Sequence, residues 1–300
     1  MKVLVTGGSG FIGSHLCAAL QDRGHTVTAM SRNPDETALP AGVDSVEGDV
    51  TEFDDLPDIV RSYDAVAHLV ALSPLYRPKG GEEQHEHITV GGTRNVVRAM
   101  STANVDRLLY LSALGADAEA NTTNLRSKWR AEEIIRSTDL DWTVVRPSAV
   151  FGEGGEFLSF VRMVTTPYIT GLPGGGTMRF QPIWIGDLVP MLATALESNE
   201  HIESTYELGG PDILTLADVT KLLYESNNTS VRIVPIPMLL TRIGMTVGSF
   251  IPLFPFGPDQ YHSLTLDNST TENAAGTLGM GVEDLCSLQS YLAENIGEAP

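Results

Sequence analysis

The sequence predicts an α/β chain, a parallel sheet with helices between its strands, followed by a smaller and more irregular lobe. Short apolar runs alternate with amphipathic stretches through the first half. The segment Thr6-Gly7-Gly8-Ser9-Gly10-Phe11-Ile12-Gly13 follows the first apolar run directly and opens the first amphipathic stretch. After about Gly152 the alternation weakens, and glycine and proline become frequent (171–176, Pro235, Pro237, Pro252, Pro255).

Taken in order, residues 2–5 read as a strand, 13–23 as a helix and 26–30 as a second strand. A third strand ends at Gly48-Asp49-Val50. Residues 65–70 and 107–111 are further strands, with a helix over 90–101 between them. A helix near 128–136 precedes a strand at 142–146. Strands separated by helices imply βαβ units, hence a parallel, doubly wound sheet with right-handed crossovers. The expected division is a nucleotide-binding domain over 1–155, rejoined by about 183–210, and a smaller lobe over 156–182 and 211–300.

The chain has 300 residues, 42% hydrophobic and 19% charged, enough to bury a large core and too apolar for global disorder. Nineteen Lys and Arg stand against 38 Asp and Glu, a formal net charge of −19. That balance excludes the cationic surface nucleic acid requires and gives no charge-driven docking on anionic lipid. Four of the basic residues are lysines and fifteen are arginines. An acidic, lysine-poor surface keeps a protein hydrated in concentrated salt, so a halophilic source is expected. Cys17 and Cys286 supply neither a disulfide framework nor a zinc spacing. The apolar start is too short for a signal peptide, the Asn121-Thr122-Thr123 sequon reads as a chance match, and no apolar run of about 18 residues predicts a spanning helix. The expected compartment is the cytoplasm.

The glycine segment carries the strongest chemical signal. Glycines let the backbone turn tightly and approach a pyrophosphate, and the helix that follows offers free N–H groups and a partial positive charge. Gly7, Gly10, Phe11, Ile12 and Gly13 are therefore the expected phosphate-binding residues of a dinucleotide site. At the end of the second strand, NAD-binding chains place an acid on the ribose 2′-hydroxyl; this one has Met30-Ser31-Arg32. A hydroxyl and a guanidinium at Ser31 and Arg32 suit a 2′-phosphate, so NADP(H) is expected, with NAD(H) the alternative if Arg32 is solvated and Asp35 or Glu36 swings in. Asp49 and Val50 are expected at the adenine edge, and Leu69, Val70 and Ala71 against the adenosine ribose, because ligands gather at strand C-termini.

These residues resemble the short-chain dehydrogenase/reductase superfamily in its extended and atypical, epimerase/dehydratase-like branches. The resemblance is carried in order by TGGSGFIG, GDV, AVAHLVA, VGGTRNVV, LYLSALGA, SKWRAEEII, VVRPSAVFGEG, FQPIWIGDLV and YELGGPDILTLADV. The C-terminal part, through Val234-Pro235-Ile236-Pro237 and Leu253-Phe254-Pro255, is similar to the subgroup of the NADPH-binding accessory subunit of respiratory complex I. The resemblance implies a Rossmann domain of about seven parallel strands and a small lobe over the nicotinamide.

It also implies a Tyr-x-x-x-Lys pair on a helix and a Ser or Thr at the end of the fifth strand. The tyrosine is the proton carrier, and the lysine binds ribose hydroxyls and lowers the tyrosine pKa. Lys128 stands in the lysine position, but four residues earlier lies Asn124, whose amide donates a hydrogen bond and transfers no proton near neutrality. Lys128 reads as a ribose contact or as a surface partner of Glu132. Ser112 ends the fifth strand, though a register two residues on gives Leu114. Tyr110 lies on that strand and Tyr76 in a loop. Pro147, Ser148 and Val150, in Arg146-Pro147-Ser148-Ala149-Val150-Phe151-Gly152, are expected to border the nicotinamide carboxamide, and Asp187 to cap a helix.

His85 and His87 flank Glu86 without a third ligand, so no metal is expected, and a solvated helix start is the reading for both. His68, in an apolar strand, reads as a core histidine donating to a carbonyl. Residues 234–257 carry one charge, Arg242, and their apolar side chains read as a hydrophobic lid, a membrane or partner face, or packing of the second lobe, with Pro252 and Pro255 breaking any long helix. The expectation is an NAD(P)H-binding oxidoreductase acting on an apolar or quinone-like small molecule. The alternatives are a non-catalytic NADPH-binding subunit or assembly factor of a respiratory complex, peripheral at the inner face of a membrane, and then a sugar-nucleotide epimerase or dehydratase.

Overall fold

A computed structural model describes residues 1–34, 39–248 and 256–295. Its elements begin with β1 (Lys2–Thr6), α1 (Phe11–Asp22), β2 (Thr26–Ser31), β3 (Asp44–Glu47), α2 (Leu56–Val60) and β4 (Ala65–His68). A composite helix follows: α3 (Glu83–His85), a π-helical turn (Glu86–Gly91) and α4 (Gly92–Ala103). Then come β5 (Arg107–Leu111), α5 (Thr123–Arg136), β6 (Asp141–Pro147), β7 (Val150–Phe151), α6 (Glu156–Val164), β8 (Tyr168–Pro173), β9 (Arg179–Phe180) and β10 (Ile183–Trp184). The last described elements are α7 (Ile185–Glu197), β11 (Ser204–Leu208), β12 (Leu214–Thr215), α8 (Leu216–Glu225), β13 (Val231–Ile236), α9 (Met238–Gly248), α10 (Pro258–Ser263), β14 (Asp267–Asn268) and α11 (Leu288–Glu294).

Seven strands form one parallel sheet in the order β11-β6-β5-β4-β1-β2-β3. This is the doubly wound Rossmann arrangement, with the order reversing between β1 and β4. Its central strands are continuous apolar runs because helices cover both faces: Val3, Leu4 and Val5 are fully buried, as are Leu108, Leu109 and Tyr110. On one face Leu16 and Leu20 of α1 pack with Leu188 and Leu192 of α7. On the other, Val96 and Met100 of α4 and Ile135 of α5 pack with Leu4 and Val66. A third core, around Phe151, Phe157, Leu172, Val219 and Leu292, lies under α6, α8 and α11.

Boundaries shift where caps and glycines decide them. α1 begins at Phe11, two residues before the expected start, with Gly10 as its N-cap. α5 begins at Thr123 because Thr122 accepts a hydrogen bond from the Leu125 N–H at 3.4 Å and so fixes the first turn. The rejoining segment supplies α7 and the edge strand β11, which pairs with β6. Arg107, buried at the start of β5, holds this junction by donating to the carbonyls of Ala195, Leu196 (2.8 Å), Ser198 (3.2 Å) and Asp141 (2.7 Å). The first three are at the C-terminal end of α7, where carbonyls lack intrahelical partners.

Candidate functional site

The glycine loop closes on itself so tightly that two of its glycines have no substitute. A Cβ at Gly13 would lie 2.2 Å from the Gly7 carbonyl oxygen, and one at Gly8 would lie 2.6 Å from the Ala29 Cβ. Gly7 itself sits at φ +76°. The result lays the α1 N-terminus, uncapped by any side chain, at the C-terminal ends of β1 and β4. Phe11, the first residue of α1, packs beneath the chain after β7: a Cβ at Gly155 would lie 2.9 Å from the Phe11 ring. Ile12 packs with the core behind the loop.

At the end of β2, Ser31 Oγ is shut away from water and has no hydrogen-bond partner among the described residues. An orphaned hydroxyl at that point fits a ligand oxygen, and Arg32 beside it is exposed. Asp35 and Glu36 lie outside the described residues. Asp49 Oδ1 accepts from the Thr51 N–H at 2.9 Å and the Thr51 hydroxyl at 2.8 Å, which folds the turn that presents Val50. Asn95 donates to the Val50 carbonyl at 3.0 Å from α4, and Val50 packs into the space that Gly92 leaves. Leu69 donates its N–H to the Thr6 carbonyl, and Val70 lies against Gly7, so 69–71 border the glycine loop; Ala71 is exposed. These residues fit an adenine dinucleotide on three sides: loop, β2 end and β4 end.

Lys128 and Asn124 share a face of α5 and are both buried. Lys128 is not a surface partner of Glu132. Its Nζ donates to the Leu111 carbonyl at 2.6 Å and lies 5.0 Å from the centre of the Tyr110 ring. Burial lowers its pKa to about 8, against the pull of Glu132. Glu132, fully buried, instead receives Arg146 through Nε and a terminal nitrogen at 2.9 and 2.7 Å, and Arg136 at 2.6 Å. It also accepts the Ser112 hydroxyl, so Ser112 serves this ion cluster rather than standing free as a reacting hydroxyl. Leu114, the alternative register, is buried and apolar.

Two other expected residues have structural partners. The Ser148 N–H donates to the Leu208 carbonyl, and its hydroxyl meets the carbonyl and side-chain oxygens of Asn268 at 2.8 and 2.6 Å, clasping β14. Asp187 accepts the Cys286 N–H at 2.7 Å, so it tethers the C-terminal region instead of capping α7. Pro147 and Val150 stay at the exit of β6, with Val150 paired to Ile183. Tyr110 is fully buried and burial holds its hydroxyl far above the usual range, which removes it as a proton donor. Tyr76 stacks edge-on against Phe160 at 5.7 Å, in the second lobe. Burial, then the charge of Glu156, raises its pKa.

His68 is a core histidine, but its partners are hydroxyls rather than a carbonyl: Thr6 at 2.6 Å and Thr93 at 3.2 Å. Burial and then Lys128 lower its pKa to about 3, so it is neutral. His85 departs from the solvated helix start expected of it: it is 1% exposed, whereas His87 is exposed. Its Nδ1 lies 3.3 Å from Asn124 Nδ2 and its Nε2 lies 3.7 Å from Glu82 Oε2. The pattern His-Glu-His could not reveal this, because the π-helical turn that follows His85 and the distant α5 bring the contact about. No group of three metal-ligating side chains occurs among the described residues. A cavity of about 130 Å³ opens beside Gly154, Leu158, Arg162 and Tyr291, too small for a dinucleotide.

The NAD(P)H-binding family matches residues 7–158. The chain belongs to this family. It is 26% identical over 289 residues to NADH dehydrogenase [ubiquinone] 1 alpha subcomplex subunit 9, mitochondrial, of Arabidopsis thaliana, covering 90% of this chain and 71% of that one. It is 25% identical over 222 residues to a 3-beta-hydroxysteroid dehydrogenase of Mycolicibacterium neoaurum, covering 65% and 61%. A short-chain dehydrogenase/reductase superfamily protein from Agrobacterium tumefaciens with bound NAD superposes at a TM-score of 0.74 and 19% identity, over 99% of this chain and 96% of that one, and so shares the fold.

Proposed function

We propose that this NAD(P)H-binding protein is an NADPH-dependent oxidoreductase for an apolar or quinone-like small molecule, working without a tyrosine proton carrier. The observation that carries the reading is the tightly closed glycine loop at the α1 N-terminus together with a buried Lys128 whose neighbour one turn earlier is Asn124. The orphaned Ser31 hydroxyl and the exposed Arg32 support a 2′-phosphate at the end of β2. Gly7, Gly10 and Gly13 with the α1 N-terminus would hold the pyrophosphate, and Lys128 the nicotinamide ribose. A reduced nicotinamide held there supplies a hydride. Calorimetric titration with NADPH and NADH tests the cofactor choice. NADPH is expected to bind at least about tenfold more tightly, and Arg32→Glu to abolish the preference; tighter binding of NADH refutes it. Oxidation of NADPH by menadione as a probe acceptor tests the redox role.

The second reading is a non-catalytic NADPH-binding subunit of a respiratory assembly. It is favoured by the outer face of α9, where Leu239, Leu240, Ile243 and Val247 are 66, 59, 51 and 60% exposed on one side of the helix. Tyr168 and Ile169 of β8 are exposed as well. Residues 249–255, with Pro252 and Pro255, lie outside the described residues. Among the described residues no helix is long and apolar enough to cross a membrane, so such a subunit would attach through this face. Bound NADPH that menadione never oxidises, together with loss of co-purifying partners in Ile243→Asp, would support this second role.

A further inference from the structure

We propose that His85 is a positioning residue for Asn124: its Nδ1 takes one N–H of the Asn124 amide, which leaves the second N–H as the hydrogen-bond donor to a carbonyl or quinone oxygen of a bound substrate. The inference rests on the oxidoreductase reading for its substrate, and on the geometry of five side chains for its orientation.

An amide nitrogen only donates, so the 3.3 Å approach of Asn124 Nδ2 requires a bare Nδ1 on His85 and places the imidazole proton on Nε2. The other edge of the ring agrees, since Nε2 faces an acceptor, Glu82 Oε2, at 3.7 Å. Glu82 in turn feels the charge of Asp259 of α10, and neighbouring carboxyl groups resist ionising together. Asp259 is the charged member: its Oδ2 accepts the Thr123 N–H at the start of α5 at 2.6 Å, and its Oδ1 the Thr123 hydroxyl at 3.3 Å. Glu82 therefore holds its proton more readily than an ordinary carboxyl, and neither of its oxygens has a hydrogen-bond partner among the described residues. Burial, then the Asp259 charge, raises it to about 7, with Arg77 pulling the other way. Burial lowers the His85 pKa, Asp259 opposes and Lys128 adds to the lowering, so the ring stays neutral with one donor and one acceptor edge.

Backbone design supports the assignment. His85 is the last residue before the π-helical turn, which packs against α5. Such turns cost hydrogen-bond geometry and recur mostly at functional sites. The turn brings His85 onto the one α5 residue that replaces the family tyrosine. A fixed N–H donor stabilises the charge that develops on a reduced oxygen without transferring a proton, so water supplies the proton and the resulting hydroxide returns to bulk.

Full-length protein, ¹⁵N-labelled at histidine, is examined by long-range ¹H–¹⁵N correlation between about pH 8 and pH 5.5, with and without NADPH, His85→Gln identifying the signal. The expected result is the Nε2–H tautomer with an unprotonated Nδ1 in both states; an Nδ1–H tautomer or an imidazolium near pH 7.5 overturns the inference. In NADPH oxidation with menadione, His85→Phe is expected to lose about tenfold or more in kcat with the NADPH KM unchanged, and His85→Gln, which keeps an acceptor, to regain most of it. Equal rates in the three proteins overturn it too. If the wild type shows no turnover while the tautomer is as expected, the oxidoreductase reading fails and the orientation of Asn124 stands. If His85→Phe does not fold, the tautomer and His85→Gln still decide.

Discussion

The burial of the Glu82 carboxyl near the charge of Asp259 gives the fold a pH dependence that a single amide substitution should erase. The Glu82 carboxyl rises from its ordinary 4.5 to about 7, first through burial and then through the Asp259 charge. The folded protein therefore holds a proton that the unfolded chain releases between about pH 4.5 and pH 7. Stability from this group is present in full below that window, falls as pH rises through it, and is lost above about 7. A fully shielded carboxyl shifted this far would contribute about 3 kcal/mol; the Glu82 side chain is 26% exposed, and solvent screening reduces that to about 1–2 kcal/mol. Glu82→Gln keeps a donor toward Asp259 and an acceptor toward His85 but cannot ionise. It is expected to match the wild type near pH 4.5 and to melt about 2–5 °C higher at pH 8, as followed by calorimetry in a pH series. A melting difference that is constant across the series, or a variant less stable at pH 8, would refute the shared proton and with it the charge assignment of this cluster.

Gly13→Ala drives a methyl into the Gly7 carbonyl, 2.2 Å away, and Gly8 Cα, 2.8 Å away, both backbone. The loop must open, so NADPH affinity should fall by at least about tenfold with about 2 kcal/mol of stability, and calorimetric binding within about twofold of wild type would contradict the closed loop. Arg107→Met strips the donor from four carbonyls at the junction of α7 and β6. Urea unfolding should show a loss of about 3 kcal/mol, and a loss below about 1 kcal/mol would mean that water replaces the guanidinium. With a net charge of −19, the chain repels itself at low salt. Its melting temperature is expected to rise between about 0.1 M and about 2 M KCl, and a flat or falling series would remove the case for a halophilic source.

Features set by local backbone demands were legible in the sequence. Gly7 needs a positive φ and Gly13 needs contact with a carbonyl, and only glycine answers either, so the loop announced the tight turn from β1 into α1. Apolar runs such as residues 107–111 read as strands because they are buried on both faces. Partnerships made across the fold were not legible. Ser112 looked like a strand-end hydroxyl until Glu132, drawn in by Arg136 and Arg146, reached it. Ser148 looked like a cofactor contact, yet Asn268, 120 residues later, claims its hydroxyl. His85 and Glu82, at α3, meet Asn124 of α5 and the charge of Asp259 of α10 through an approach that no periodicity encodes. The sequence trace of that cluster is negative: an asparagine, Asn124, where the resemblance implies a tyrosine.

The Ser148–Asn268, Glu207–Thr270 and Asp187–Cys286 bonds stitch residues 268–286 to elements completed long before them. The seven-stranded sheet needs nothing beyond residue 208, so during synthesis it can assemble before these stitches form. A nascent chain can thus own its parallel sheet and glycine loop while the segment that will clasp the exit of β6 is still to come.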